Sequence, residues 1–208
     1  MNAKSVRGEE TRQRIIQAAF DLFHKQGVAG TSPDDVIEKS GTGKGQFYHY
    51  FKSKEGLVHA VLQAFVEEIR KGRSPFCFEI NDWKDLHRWF LVQLDIQKRY
   101  NMSRGCPIGT IGNGLAEDDE LIRQDLNLAF ELMKKHVLAF FVREMAKGRI
   151  VSGMNADQLA DYCLIVMQGA MLMGKIRKDS ETVERMIRVA LDHVQNASPR
   201  AAVAEQTG

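Results

Sequence analysis

Apolar residues return every three or four positions along most of this chain, with polar residues in the gaps, which is the period of amphipathic helices. Ile15, Ile16, Ala19, Phe20, Leu22 and Phe23 form the first stripe and predict a helix over about 9–25, with Gly27 placed to end it in a left-handed conformation. Ser32, Pro33 and Asp35 supply a cap, a first-turn proline and a reciprocal acid for a short helix carrying Val36 and Ile37, which Lys39-Ser40-Gly41 closes. A second short helix follows from about Lys44 to Tyr50, with Phe47 and Phe51 four apart on one face, and Ser53 caps the next. That helix, over about 54–71, carries Leu57, Val58, Val61, Leu62, Phe65 and Ile69 on one side. The GRSPF stretch at 72–76 then breaks the chain and marks a domain boundary.

Beyond it, Asp82 caps a helix, with Asp85 completing the cap and Trp83, Leu86, Trp89, Phe90 and Leu94 at helical spacing. Four glycines and a proline between Asn101 and Gly114 leave room only for a short or irregular element. Glu117, Asp118, Asp119 and Glu120 sit where a long helix starts, a place the helix dipole favours for acids; no histidine stands near to make them a metal site. The long helix runs on to Gly148, and two more follow over about 156–176 and 180–195. Ala170 and Gly174 let another helix approach the first of these, while Val183, Met186, Ile187, Ala190, Leu191 and Val194 stripe the second. Residues 197–208 are expected to be disordered. The expected fold class is all-α, and no strand pattern competes with it.

The polar residues give the first third of this pattern a purpose. Two short helices joined by a glycine turn, one bracing and one polar on its outer face, are the parts of a helix-turn-helix. Four lysines (39, 44, 52 and 54) and no acid lie between 39 and 54, a positive window suited to phosphates. The formal net charge is only +2, so any affinity for nucleic acid has to come from this local patch. A phosphate-binding loop is excluded at GTGKGQ, because Glu38 and Gly45 stand where that motif needs Gly and Ser/Thr.

Three motifs in order, RIIQAAFDLFHKQG (14–27), TSPDDVIEKSG (31–41) and GKGQFYHYF (43–51), followed by KSKEGL (52–57), resemble the N-terminal third of TetR/AcrR-family transcriptional regulators. That family usually carries a Ser at the position of Gly43, where it caps the recognition helix, so Thr42 is expected to take over a phosphate contact. The resemblance implies a three-helix helix-turn-helix domain over 1–53, a connecting helix over 54–72, and a helical ligand-binding and dimerisation domain over 73–196. It also implies a homodimer through the last two helices, a near-palindromic operator in double-stranded DNA, and a small effector whose binding shifts the fourth helix. Lys44 and Gln46 are expected at base edges, and Thr31, Thr42, Tyr48, His49 and Lys54 at phosphates, helped by Lys4, Arg7, Arg12 and Arg14 near the start of the first helix.

For the effector, expected to be apolar or amphipathic, the proposed wall is Trp89, Phe90, Met133, Val137, Phe140, Met167 and Met171, each of which also reads as plain core. Cys106 lies in RGCPIG two residues after Arg104, a cation that favours the thiolate. This segment resembles the Gly-Cys region of TetR-type repressors that respond to electrophiles or oxidants, with an inert, half-buried thiol as the competing reading.

Three widely spaced cysteines with no CxxC pair point to reduced thiols and no zinc site. Neither a signal-like apolar run at the start nor 18 uninterrupted apolar residues appears, so a cytoplasmic protein with no membrane span is expected. No cofactor is expected either. The six histidines form no constellation with a nucleophile or a metal-ligand spacing, which leaves an enzyme without support. A helical dimer acting through protein partners is the remaining alternative, and repression and activation both stay open.

Overall fold

The computed structural model describes residues 3–114, 119–150 and 153–196, with side chains from 6 to 195. Among these residues the regular structure is all helix: α1 Ala3–Gln26, α2 Pro33–Ser40, α3 Lys44–Phe51, α4 Lys54–Arg70, α5 Trp83–Arg99, α6 Pro107–Gly112, α7 Glu120–Ala146, α8 Ala156–Arg177 and α9 Ser180–Asn196. The expected acids Glu117 and Asp118 and the tail 197–208 lie outside the described residues, as does the side chain of Lys4.

The helix ends follow local chemistry. Ser32 accepts from the Asp35 N–H at 3.2 Å while Asp35 accepts from the Ser32 N–H at 2.7 Å, a reciprocal box that holds the Asp35 carboxyl below its usual pKa. Ser53 caps α4 by accepting from Gly56 N–H at 3.1 Å, and Asp82 caps α5 by accepting from Asp85 N–H at 2.9 Å. Asp85 reaches back to the N–H of Asn81, one residue before the cap. Gly27 and Gly41 end α1 and α2 at φ 77° and 63°, in the left-handed region. At the start of α7, Asp119 accepts from the Ile122 N–H at 3.4 Å, and Glu120 turns to Arg123 and Gln124, whose hydrogen bonds pull its pKa down to about 2.

The chain divides into two compact units. The first comprises Met1–Lys71 and Arg104–Phe130, so α6 and the beginning of α7 group with the N-terminal helices. Within this unit α1 packs on α2, α4 and α6, and α3 packs on α4 and α2. Ile15, Ala19, Phe23, Val36, Phe47, Leu57 and Leu62 are buried at its centre. Two polar ties reinforce it: the buried His24 ring is 2.8 Å from the Gly105 carbonyl, and the buried Asp125 carboxylate of α7 takes His59 and Gln63, four residues apart on α4.

The second unit comprises Gly72–Ser103 and Glu131–Gly208. Here α9 packs on α8 and α5, and α5 also meets α8. Gly174 permits the closest approach: a Cβ there would lie 2.7 Å from Val183 Cγ2 and 2.6 Å from Met102 Cε. Lys134 is buried on α7, where loss of water alone would lower its pKa. Asp161 at 2.6 Å, Asp157 at 3.1 Å and Glu131 at 3.2 Å outweigh that and raise it. Burial has no such counterweight at Cys163, whose thiol is pushed up to about 12. By length and composition α8 is apolar enough to cross a membrane, but it is two-sided. Cys163, Met167 and Met171 are buried, whereas Ile165, Leu172, Met173 and Ile176 are exposed.

Candidate nucleic-acid interface

Helix α3 is held by its apolar side and bare on the other. Phe47 and Phe51 are buried, their rings 5.8 Å apart, while Lys44, Gly45, Gln46, Tyr48 and His49 are exposed. The exposed rings are supported from below: Tyr48 stands edge-on to Phe47 at 5.1 Å, and His49 edge-on to Tyr50 at 5.1 Å. The corner into α4 is tight, with Lys52 at φ 60° and the Ser53 N–H donating to the Phe51 carbonyl at 2.6 Å. Arg12 of α1 lies 5.9 Å over the Phe51 ring, which ties the first helix to this corner.

The geometry sorts the residues expected to bind DNA. Lys44, Gln46, Tyr48 and His49 share the exposed surface of α3, and Lys54 is half-buried at the start of α4. Thr31 does not join them. It is buried, and its hydroxyl donates to the Gly27 carbonyl at 2.8 Å, so it closes the turn after α1. Thr42 is half-buried and shares a 2.8 Å hydroxyl contact with Ser40.

Gln46 has a second task. Gly43 brings no side chain to the start of α3, and the Gln46 amide oxygen accepts the Gly43 N–H at 3.1 Å, half of a capping box. Its amide nitrogen keeps both donors for an external acceptor. The pattern Gly-x-x-Gln was the signal for this role.

The positive window is partly balanced by acids from outside it. Asp34 of α2 lies 3.0 Å from Lys44 and raises its pKa, and Asp21 of α1 lies 3.5 Å from Lys39. Both pairs are solvent-exposed and screened by water, so they hold the two lysines only weakly. Arg7 and Arg14 are exposed along α1 and continue the cationic surface.

In the second unit all seven residues proposed for an effector wall are buried, none more than 2 % exposed. Trp89 and Phe90 stack edge-on at 5.1 Å, and Phe140 meets Phe141 at 5.3 Å and Trp83 at 5.1 Å. Cys106 is also buried, 8 % exposed, immediately before α6. Burial of this degree disfavours attack by a reagent, because reactive thiols are accessible ones. The Asp125 tie was not foreseen. Only the four-residue spacing of His59 and Gln63 hinted at a shared partner on that face of α4.

Two family models match the chain: "Bacterial regulatory proteins, tetR family" over residues 15–61 and "Tetracyclin repressor-like, C-terminal domain" over 84–190. The HTH-type transcriptional repressor DhaR of Mycobacterium sp. (strain GP1) is 25% identical over 183 residues, 87% of this chain and 90% of the relative. The HTH-type transcriptional regulator TtgR of Pseudomonas putida is 42% identical over 59 residues, which is 28% of each chain. A crystal structure of a TetR-family transcriptional regulator from Agrobacterium tumefaciens superposes with a TM-score of 0.78 at 20% identity, over 90% of this chain and 98% of that one.

Proposed function

The chain belongs to the TetR family of bacterial regulatory proteins, DNA-binding transcriptional regulators and not enzymes, and from that premise we propose a ligand-responsive repressor that binds a near-palindromic operator as a homodimer. The observation that carries the reading is α3: an eight-residue helix without an acid, clamped by two buried phenylalanines, with Lys44, Gln46, Tyr48 and His49 outward. Laid in a major groove, such a helix offers Lys44 and the Gln46 amide to base edges, with Tyr48, His49 and Lys54 at the flanking phosphates. One such helix touches few bases, and a two-fold pair doubles the contacts and demands a site of matching symmetry.

The exposed apolar residues of α8 and α9 support the pairing. Ile165, Leu172, Met173 and Ile176 line one side of α8 at helical spacing, and Met186 and Val189 stand outward on α9. Together they suit a bundle of four helices, two from each copy. An effector bound in the second unit lowers operator affinity only by as much as it prefers the DNA-incompetent state.

Selection of bound duplexes from a random DNA pool at physiological salt tests the reading. Recovery of one palindromic motif is the expected result. A folded dimer that retains no motif and binds no DNA would overturn it in favour of a protein that acts through other proteins. On the recovered site, Lys54→Ala is expected to weaken binding to all sequences and flatten the salt dependence, and Gln46→Ala to relax preference at particular base pairs.

A further inference from the structure

Trp89 is fully buried in the second unit, and its indole N–H has no acceptor. An indole donates through this group alone, and a buried one normally finds a partner. The carboxamide nitrogen of Gln168, on α8 of the same unit, is likewise buried without a partner. One turn after Trp89 on α5, Gln93 is buried, and its amide reaches the Trp89 carbonyl only at 3.5 Å, the weak limit of a hydrogen bond, so it is easily redirected. The second unit therefore holds stranded donors at Trp89 and Gln168, and the methionines Met133, Met167 and Met171 are buried in the same unit.

Its buried charges, by contrast, are all engaged among the described residues. Lys134 is ringed by Glu131, Asp157 and Asp161, and both oxygens of Glu144 are taken by Arg149. An ionic guest would find no unspent countercharge there, and would have to break one of these sets to be compensated.

We propose that the effector is a neutral, mainly apolar molecule bearing a hydrogen-bond acceptor oxygen, such as a ketone or ester, and that the Trp89 indole N–H is the donor that receives it. This rests on reading the second unit as the effector domain. The chemistry sets the selectivity. A guest with an acceptor ends the stranding of the indole N–H, whereas a hydrocarbon of the same shape leaves the donor stranded. The preference for the oxygenated member of a matched pair is then about tenfold, the value of one hydrogen bond.

The test uses the full chain with its two tryptophans labelled with nitrogen-15, the Trp83 signal being assigned with Trp83→Phe. Acetophenone and methyl benzoate are titrated against ethylbenzene, which lacks the oxygen, and benzoate, which carries a charge. The ketone and ester are expected to move the Trp89 indole proton downfield and to bind about tenfold more tightly than ethylbenzene. In Trp89→Phe, which keeps an aromatic ring, that preference disappears. Equal binding of the hydrocarbon, stronger binding of benzoate, a Trp89 signal unmoved by every compound, or one already at a hydrogen-bonded position before addition would each overturn the proposal. The wild-type spectra decide this even if Trp89→Phe does not fold. Selection of an operator distinguishes the two failures: a chain that finds its motif but fails these titrations loses only the effector chemistry, whereas one that passes them and finds no DNA loses the repressor reading.

Discussion

A methyl group on Gly56 would lie 2.2 Å from the carbonyl oxygen of Phe51, a backbone atom that has no side chain's freedom to turn away. The same carbonyl accepts from Ser53, and the corner between α3 and α4 is built around it. Gly56→Ala must push the two helices apart, and we expect a loss of about 3 kcal/mol of stability in the first unit, together with operator binding. Thermal unfolding checks this, and an unchanged midpoint would show that the corner tolerates the methyl group. Gly43 is the opposite case. Its backbone is extended at φ −91° and ψ 155°, and a Cβ there meets nothing within 4 Å, so a serine fits without strain. Gly43→Ser adds a side-chain cap to α3, worth a few tenths of a kcal/mol over glycine, and relieves Gln46 of sole responsibility for that end. The expected outcome is a slightly higher melting temperature and tighter operator binding at constant salt. Weaker binding would mean that the bare Gly43 backbone is itself part of the DNA contact.

Whole helices were legible where their signals are local. Ser32, Ser53 and Asp82 cap the helices they were expected to cap, because a cap needs only residues three apart. The first helix begins at Ala3, ahead of the apolar stripe, because residues 3–8 (AKSVRG) carry no apolar period from which a helix could be read. The hydroxyl of Thr31 is less legible for a related reason: sequence shows the group and not the Gly27 carbonyl that it donates to. Nor could spacing reveal that α6 and Asp125 pack with the N-terminal helices, since Asp125 lies 66 residues from His59. Ion pairs are hidden in the same way, and the end of α7 supplies a testable one. Arg149 donates to both oxygens of the buried Glu144 at 2.5 Å, and these bonds hold the Glu144 carboxyl below its ordinary pKa despite burial, which acts the other way. A depressed native pKa contributes stability that is complete above the unfolded value, about 4.3, and is lost as pH falls through the native one. Glu144→Gln should therefore cost about 2 kcal/mol at pH 7, with the gap to wild type closing as the pH falls below about 4. Melting curves of both proteins across that range check the sign, and a gap that widens in acid would refute it.

At the scale of the molecule, a family of repressors poses a geometric demand that one chain does not meet: two recognition helices must face successive turns of the same groove. In the homodimer proposed here, the outer side of α8 in the second unit is the surface that would supply the pairing. Ile165 is 69% and Ile176 65% exposed, three helical turns apart on a stripe that also holds Leu172, with Gly169 open between them. Such residues gain nothing from water, and burying them against their own copies removes apolar area at about 25 cal/mol per Å². Replacing both with glutamate places four unpaired carboxylates in that seam, two from each copy, while the α8 core residues Cys163, Met167 and Met171 remain untouched. The double variant Ile165→Glu, Ile176→Glu is expected to stay fully helical by circular dichroism, to run as a monomer in light scattering, and to lose at least about 100-fold in affinity for a palindromic site while keeping weak binding to a half-site. The wild-type chain, measured beside it, should be a dimer at the same concentration. A double variant that remains dimeric would move the interface to another surface, and one that becomes monomeric yet holds the palindrome undiminished would mean that the two copies meet only on DNA.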